Sequence, residues 1–296
     1  MGKKSKIVFL ILLGLLAVAI FVFLLSANNV PVLNPQGIIA DKQKDLLVIS
    51  TLLMLIVIVP VYVLVISFAW RYRASNKKAK YSPNFDHNIV AETIWWGIPI
   101  IIITILGGII WTSSHELDPY RSLDSDTKPV TIQVIALQWK WLFIYPNEKI
   151  ATVNYIRFPQ NTPVNFKITS DAPMNSFWIP SLGGQVYAMS GMETKLHLMA
   201  NDIGTYRGSS ANLSGDGFAG MTFKAHSTSR GDFDSWVTDT KKSKQLLDKT
   251  TYDKLAEPSK NNKEAFYKLK DTDLYDTVMM KYMAPSTDNK MEGMHH

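Results

Sequence analysis

The stretch at residues 46–70, LLVISTLLMLIVIVPVYVLVISFAW, decides the fold class because it contains 25 residues without a single charge. A helix of that length can cross the ~30 Å hydrocarbon layer of a bilayer. A second uncharged run follows at 93–113, and a third, at 7–25, comes directly after three lysines. We therefore predict transmembrane helices at 46–70 and 93–113, and a signal peptide or first hydrophobic anchor at 1–27.

Basic residues between the two long runs set the predicted topology. Residues 71–80, RYRASNKKAK, carry five positive charges and no negative one. The positive-inside rule places the loop at 71–92 in the cytoplasm, and therefore places the segment at 28–45 and the chain after about residue 114 outside. The whole net charge of +6 lies in residues 1–113, since the remaining chain has 21 charges of each sign. The basic excess indicates membrane topology and a lipid environment, and no nucleic-acid partner is predicted.

After residue 114 the pattern changes from continuous apolar runs to alternation. Four segments alternate apolar and polar residues, namely 131–137, 163–169, 194–198 and 221–226. Short alternating strands between Pro, Gly and Asn turns are typical of a β-sandwich or barrel, which we place at 117–227. The region at 228–296 is charged, contains aromatics such as Ala265-Phe266-Tyr267, and has a helical pattern. The predicted fold class is a membrane-anchored α+β protein with an extracytoplasmic β-sandwich and a helical C-terminal tail.

The metal-ligating residue types are sparse. The chain has no cysteine, which excludes disulfides, thiolate metal sites and thiol catalysis. None of its six histidines has the spacing of a zinc site. His197 and His226 share strand faces with lysines, so both are predicted to point to solvent, and no metal is expected. A weak copper-binding role stays open for the tail residues Met291, Met294, His295 and His296.

An aromatic cluster, QWKWLFIY at 138–145, follows the first predicted strand. We expect one of its tryptophans to lie in the core and the other to lie at the membrane interface or against a partner. The alternative is that the whole cluster forms the surface where the β-domain meets a complex. Trp139 and Trp141 are both candidate residues of that partner interface.

Long strings in the sequence carry a family resemblance. They are FAWRYRASNK at 68–77, AKYSPN at 79–84, WLFIYP at 141–146, IATVN at 150–154, MNSF at 174–177 and SGDGF at 214–218. These strings resemble subunit II of the haem-copper respiratory oxidases, in the quinol-oxidising, cytochrome o-type branch. The resemblance implies a cupredoxin-like sandwich at 117–227 and a bacterial plasma-membrane location. It also implies a non-catalytic chain with subunit I, and subunits III and IV, as partners. The haems and copper would then belong to subunit I, and quinol would be the substrate of the complex.

A lost copper site is a further implication of the resemblance. In the cytochrome c oxidase branch of this family, the β-domain holds a dinuclear copper centre. The matching ligand positions in this sequence are Asn175, Ser210, Asn212, Ser214, Phe218 and Met221. Only the thioether of Met221 remains a copper ligand type, and a lone thioether does not hold copper. We therefore expect this chain to bind no cofactor of its own.

Glu92 directly precedes the uncharged run at 93–113, at its predicted cytoplasmic end. An acid in a first helical turn is favourable to the helix dipole, which would be a purely structural role. In the resembled family an acid at the matching place forms the entrance of a proton-uptake channel into subunit I. Both interpretations stay open for Glu92.

Two other function classes also stay open. One is cytochrome c oxidase subunit II, which the absence of cysteine argues against. The other is a membrane-anchored β-sandwich that acts alone as a binding module unrelated to respiration.

Overall fold

The computed structural model describes residues 30–80 and 87–283, together with the isolated residues 14, 16 and 20. The predicted anchor at 1–27 and the Met/His tail therefore lie outside the described residues, apart from those three positions. The chain divides into two units. One contains Lys42–Arg121, and the other contains the chain up to Asp41 and from Ser122 onward.

The unit Lys42–Arg121 consists mainly of two long apolar helices, α1 (Ile38–Arg71), whose first four residues precede the unit, and α2 (Ile89–Glu116). Both are long and apolar enough to cross a membrane. They confirm the helices predicted at 46–70 and 93–113, but each extends beyond its uncharged run because charged and polar residues continue the helix at both ends. Lys42 near the start of α1 forms an ion pair with Glu116 at the end of α2, so these two ends lie side by side.

Twelve strands form the sandwich in the described part of the second unit. Their bounds are β1 (Val130–Leu137), β2 (Lys140–Tyr145), β3 (Ile150–Val153), β4 (Tyr155–Pro159), β5 (Val164–Ser170), β6 (Asn175–Trp178), β7 (Val186–Ala188), β8 (Thr194–Leu198), β9 (Gly204–Ser210), β10 (Thr222–Thr228), β11 (Leu246–Leu247) and β12 (Ala265–Leu269). One sheet has the order β11-β12-β3-β2-β1-β5-β8, and the other has the order β4-β10-β9-β6-β7. The four alternating segments of the sequence correspond to β1, β5, β8 and β10.

The core between the two sheets is rich in aromatic side chains. Trp141 is fully buried, and its ring centroid lies 5.4 Å from that of Phe177 and 5.9 Å from that of Phe223. Phe177 and Phe223 stack on each other with centroids 5.1 Å apart. Each large aromatic side chain buries roughly 150–250 Å² of surface in a folded protein. This cluster therefore accounts for much of the apolar surface that is buried between the sheets.

A second core lies on the other face of the larger sheet. Side chains from β1, β2 and β3 that point away from the first core pack against Leu247, Tyr252, Leu274, Tyr275 and Val278 of the C-terminal region. This explains why all six residues of β2 are buried, although a one-sided strand would bury only alternate residues.

The C-terminal region contains three helices, α3 (Arg230–Lys241), α4 (Lys249–Ala256) and α5 (Leu274–Met280). The helical prediction was wrong for Ala265-Phe266-Tyr267, which lies in β12 and pairs antiparallel with β3. Without β12, one edge of β3 would expose unpaired backbone N–H and C=O groups. Tertiary pairing therefore overrides the local pattern at this segment, and β11 and β12 of an otherwise helical region extend the larger sheet.

Candidate functional site

Three of the six positions that match copper ligands in the resembled family come together at one end of the smaller sheet. Asn175 begins β6, Ser210 ends β9, and Met221 directly precedes β10. The Ser210 hydroxyl donates to Asn175 Oδ1 at 2.9 Å, and the Ser210 backbone N–H donates to the Met221 carbonyl at 3.0 Å. Asn212 lies beside them, and its Nδ2 donates to the Met174 carbonyl at 2.9 Å.

The other two positions lie farther along the loop at 214–220. The Ser214 backbone carbonyl accepts a hydrogen bond from the Trp139 indole N–H. Phe218 is the first residue of a 3₁₀ turn, and its carbonyl accepts from the Met221 N–H at 3.0 Å. The loop therefore returns the chain from Ser210 to Met221, where the two residues form a backbone hydrogen bond.

The chemistry of this cluster does not fit a copper centre. The Asn175 Nδ2 donates to the Pro173 carbonyl at 2.6 Å, and its Oδ1 accepts from the Ser210 hydroxyl. Both polar atoms of the Asn175 amide therefore already have hydrogen-bond partners. Met221 is fully buried among apolar side chains. Copper in proteins is held by thiolates, imidazoles and thioethers together, and amides and hydroxyls are poor substitutes. In the described ranges, no three His, Cys, Asp or Glu side chains gather into a possible metal site.

The two histidines of the sandwich also make protein contacts. His197 is half-buried, not fully open to solvent as predicted, and its Nδ1 lies 2.8 Å from Asn165 Oδ1. His226 is half-buried as well, with its Nδ1 beside the Thr205 hydroxyl. Burial lowers the pKa of both imidazoles, and the nearby cations Lys195 and Arg157 lower them further.

Trp139 packs over the loop at 214–220. It adopts a left-handed backbone conformation with φ 64° in the turn between β1 and β2. Its indole N–H donates to the Ser214 carbonyl at 3.1 Å, and its ring covers Gly217, where a Cβ atom would come within 2.3 Å of the indole. The Lys260 ammonium lies 5.2 Å from the ring centroid, a cation–π distance. Trp139 thus packs against the loop at 214–220 and hydrogen-bonds to it.

The two tryptophans of the predicted interface therefore differ. Trp141 is fully buried in the sandwich core, so the partner-interface hypothesis is wrong for this residue. Its neighbours on the same strand are buried on both faces, which leaves no route to a partner. Trp139 is half-buried, and a partner contact for its exposed edge stays a prediction.

Lys140, between the two tryptophans, is a structural residue that the sequence analysis missed. Its side chain is buried, and the ammonium donates to the Glu257 carbonyl at 2.7 Å and to the Ser259 hydroxyl. Burial lowers the pKa of Lys140, while the charge of Glu257 opposes that change. A lone charge inside an otherwise apolar strand was the signal that could have identified it, because buried ammonium groups require partners.

Asp171 is a second structural residue that the sequence analysis did not identify. Its side chain is 2% exposed and accepts hydrogen bonds from the Tyr252 hydroxyl at 2.6 Å, from Lys281 Nζ at 2.8 Å and from the Tyr282 hydroxyl. Burial alone would raise the pKa of Asp171, but the hydrogen bonds and the charge of Lys281 outweigh it, and the pKa lies below its usual value. The Asp171 carboxylate therefore connects helix α4 and the residues after helix α5 to the end of β5 through hydrogen bonds.

Glu92 lies in the first turn of α2. Asn88 caps the helix by accepting from the Ala91 N–H at 3.0 Å, and Glu92 Oε1 accepts from the Asn88 N–H at 3.0 Å. The His87 Nδ1 atom lies 2.6 Å from the same oxygen, and the Glu92 side chain is 31% exposed. The structural role, an acid at a helix start, is thus present in the geometry. A part for the Glu92 carboxylate in proton uptake stays a prediction.

Comparison with known proteins identifies the family. The family model described as COX Aromatic Rich Motif matches residues 241–286. Cytochrome bo(3) ubiquinol oxidase subunit 2 of Pseudomonas putida is 56% identical over 259 residues, which cover 88% of this chain and 82% of that protein. The chain belongs to the ubiquinol oxidase subunit 2 family. Ubiquinol oxidase subunit 2 of Acetobacter aceti is also similar, with 45% identity over 91% of this chain and 88% of that protein.

Among solved structures, the chain is similar to the periplasmic domain of subunit II of cytochrome oxidase of Bradyrhizobium japonicum. That match has 21% identity and a TM-score of 0.38, and it covers 40% of this chain and 96% of the other.

As a ubiquinol oxidase subunit 2, the chain is a membrane-anchored part of an oxidoreductase complex, and the family resemblance noted in the sequence is confirmed. Family membership argues against both rival classes, the cytochrome c oxidase subunit and the binding module that acts alone. The aromatic-rich segment at 241–286 contains all three donors that hold Asp171, namely Tyr252, Lys281 and Tyr282.

Proposed function

We propose that this chain is the non-redox subunit 2 of a proton-pumping quinol oxidase in a bacterial plasma membrane. Its two apolar helices dock against a haem-copper subunit I, and subunits III and IV complete the assembly. Quinol oxidation and O2 reduction take place on the haems and copper of subunit I. The basic loop after α1 faces the cytoplasm, and the sandwich lies on the outer side. The names of the similar proteins and the charge of residues 71–80 support this proposal.

The observation that carries the metal-free role is the hydrogen-bonded cluster of Asn175, Ser210 and Met221. The Ser210 hydroxyl donates to the Asn175 amide oxygen, and the cluster keeps one thioether but has none of the thiolates and imidazoles that hold copper. A quinol is soluble in lipid and delivers electrons within the membrane, so a quinol oxidase needs no copper relay in an external domain. The sandwich then acts in assembly and in covering the outer surface of subunit I.

A metal analysis tests this proposal. The full chain, produced without its partners and purified in detergent, should contain no stoichiometric copper after exposure to copper salts and dialysis. A variant with five rebuilt ligands should bind copper and become coloured, because a loop of unchanged length keeps those positions near bonding distance. The five substitutions are Asn175→His, Ser210→Cys, Asn212→Glu, Ser214→Cys and Phe218→His.

The matched control adds Met221→Leu to the five substitutions, which removes the thioether and should weaken or alter the colour. Tightly bound copper in the unaltered chain would show that the metal-free proposal is incorrect.

A second prediction concerns Glu92 as the entry point for protons. The complex should purify with haem, and Glu92→Gln should slow oxygen consumption per haem about tenfold, or about 1.4 kcal/mol on the limiting barrier. The amide of Gln can still accept from the Asn88 N–H, so the helix cap survives while the titratable group is lost. Glu92→Asp should recover part of the rate, because it keeps the acid and shortens its reach.

Glu116→Gln is the matched control, since it removes an acid from the opposite end of the same helix. It should leave the rate per haem unchanged. Equal rates per haem for the unaltered protein and Glu92→Gln would restrict Glu92 to its capping role. A chain that purifies without haem or partner subunits would contradict the oxidase proposal itself.

A further inference from the structure

A cleft of about 750 Å³ lies against the smaller sheet of the sandwich, between strands β9 and β10 and residues 262–264. Its volume falls in the range of about 300–1,000 Å³ that is usual for small-molecule sites. Tyr206 and Phe223 border the cleft, but their side chains are buried in the core, so the alternating residues Arg207 and Lys224 lie on the outer face of the sheet. The cleft is separate from the cluster of Asn175, Ser210 and Met221.

Three cations and one acid line this cleft. Arg207 on β9 is the direct cross-strand partner of Lys224 on β10, and Lys263 lies on the segment that closes the cleft. Like charges directly opposite on one face destabilise an antiparallel pair. The Glu264 carboxylate reduces this repulsion, because its Oε1 lies 2.9 Å from Lys224 Nζ and forms an ion pair with it. Within the described part of the chain, Arg207 and Lys263 have no acidic partner within 4 Å, so the cleft has a net charge of +2.

A cross-strand cation pair is not by itself a binding site. Lys167 on β5 and Lys195 on β8 are also direct partners, and Lys167 lies 3.7 Å from Glu193. That pair does not line the cleft. The pair of Arg207 and Lys224 differs because a third cation stands beside it in a concave space. Thr222 also lines that space, and its hydroxyl can donate a hydrogen bond.

We propose that this cleft binds a phosphate monoester group. A monoester phosphate carries about −1.5 to −2 at pH 7, which neutralises the two unpaired cations, whereas a carboxylate would neutralise only one. The planar guanidinium of Arg207 matches two phosphate oxygens at once, and Lys263 adds a point charge. The phosphate can come from a free phosphate ester or from a lipid headgroup of the phosphatidic acid type, since both present the same dianion.

Phosphate titration of the full chain in phosphatidylcholine nanodiscs tests the site. Inorganic phosphate should bind saturably, measured by calorimetry, and the double variant Arg207→Gln/Lys263→Gln should bind it at least about tenfold more weakly. Glu264→Gln should strengthen binding, because it removes a competing carboxylate and frees Lys224. The matched control Lys195→Gln removes a cation from the other pair and should leave the affinity unchanged.

Nanodiscs that also contain phosphatidic acid separate the two sources. Weaker apparent binding of inorganic phosphate in those nanodiscs assigns the site to the lipid headgroup, and unchanged binding assigns it to a free phosphate ester. The proposal is overturned if phosphate does not saturate, if the double variant binds as the unaltered chain does, or if Lys195→Gln loses as much affinity. The gain expected for Glu264→Gln cannot arise from misfolding, so it keeps the test valid even if the double variant is unstable.

Discussion

Trp141→Ala is expected to lower the free energy of unfolding of the sandwich by about 3–5 kcal/mol. The side chain is fully buried and packs edge-on against Phe177 and Phe223, so truncation leaves a large cavity between the sheets. Denaturant unfolding of the full chain in detergent, followed by circular dichroism of the strands, measures this change. The expected loss is a large fraction of the 5–15 kcal/mol that stabilises a typical domain.

Two further variants sharpen the test. Trp141→Phe should cost less, because the Trp141 indole N–H has no hydrogen-bond partner in the described residues and only ring volume is lost. Trp139→Ala removes a half-buried ring and one hydrogen bond to the Ser214 carbonyl, so about 1–2 kcal/mol is expected. A cost for Trp139→Ala equal to that of Trp141→Ala would contradict the division into one core tryptophan and one loop-holding tryptophan.

Asp171→Asn should lower the free energy of unfolding by about 2–4 kcal/mol at neutral pH, since hydrogen bonds to charged groups contribute about 1.5–3 kcal/mol. The buried carboxylate accepts from Tyr252, Lys281 and Tyr282, and an uncharged amide of the same shape cannot accept all three. Because these donors lie in the aromatic-rich segment, limited proteolysis should also release that segment faster from the variant.

The effect should depend on pH in one direction. The pKa of Asp171 is lowered in the folded chain, so its stabilisation is complete above the ordinary carboxyl pKa of about 3.9 and is lost as the pH falls through the lowered value. The difference between Asp171→Asn and the unaltered chain should therefore shrink in acid. Asp239→Asn, which breaks an exposed ion pair with Lys242, is the control and should cost less than about 1 kcal/mol. An acid-independent difference would contradict this account of Asp171.

The sequence predicts the parts of the fold that arise from local pattern. Uncharged runs located α1 and α2, and alternation located β1, β5, β8 and β10 to within a residue or two. The strand β12 was missed because its partner β3 lies more than a hundred positions earlier, and no local signal records that pairing. Propensity is a weak guide where such tertiary contacts decide.

The candidate site divides in the same way. The absence of cysteine and histidine at these positions was visible from residue types alone, whereas the hydrogen bonds between Asn175, Ser210 and Met221 required the structure. Asp171 and Lys140 were missed because their partners are far apart in sequence and are ordinary tyrosines, lysines and loop atoms. Trp139 and Trp141 looked alike because alternation places them on one strand face, but the positive φ of Trp139 turns it out of the strand.

The position of β12 between β11 and β3 has a consequence for biosynthesis. A ribosome makes roughly 5–20 residues per second, so the stretch of about 110 residues from β3 to β12 takes roughly 6–22 s. During that interval, the emerging chain exposes an open strand edge that can pair with other nascent chains. Until β12, which lies in the last eighth of the polypeptide, has been made, the free edge of β3 stays exposed, and a chaperone or another chain that covers this edge would prevent aggregation.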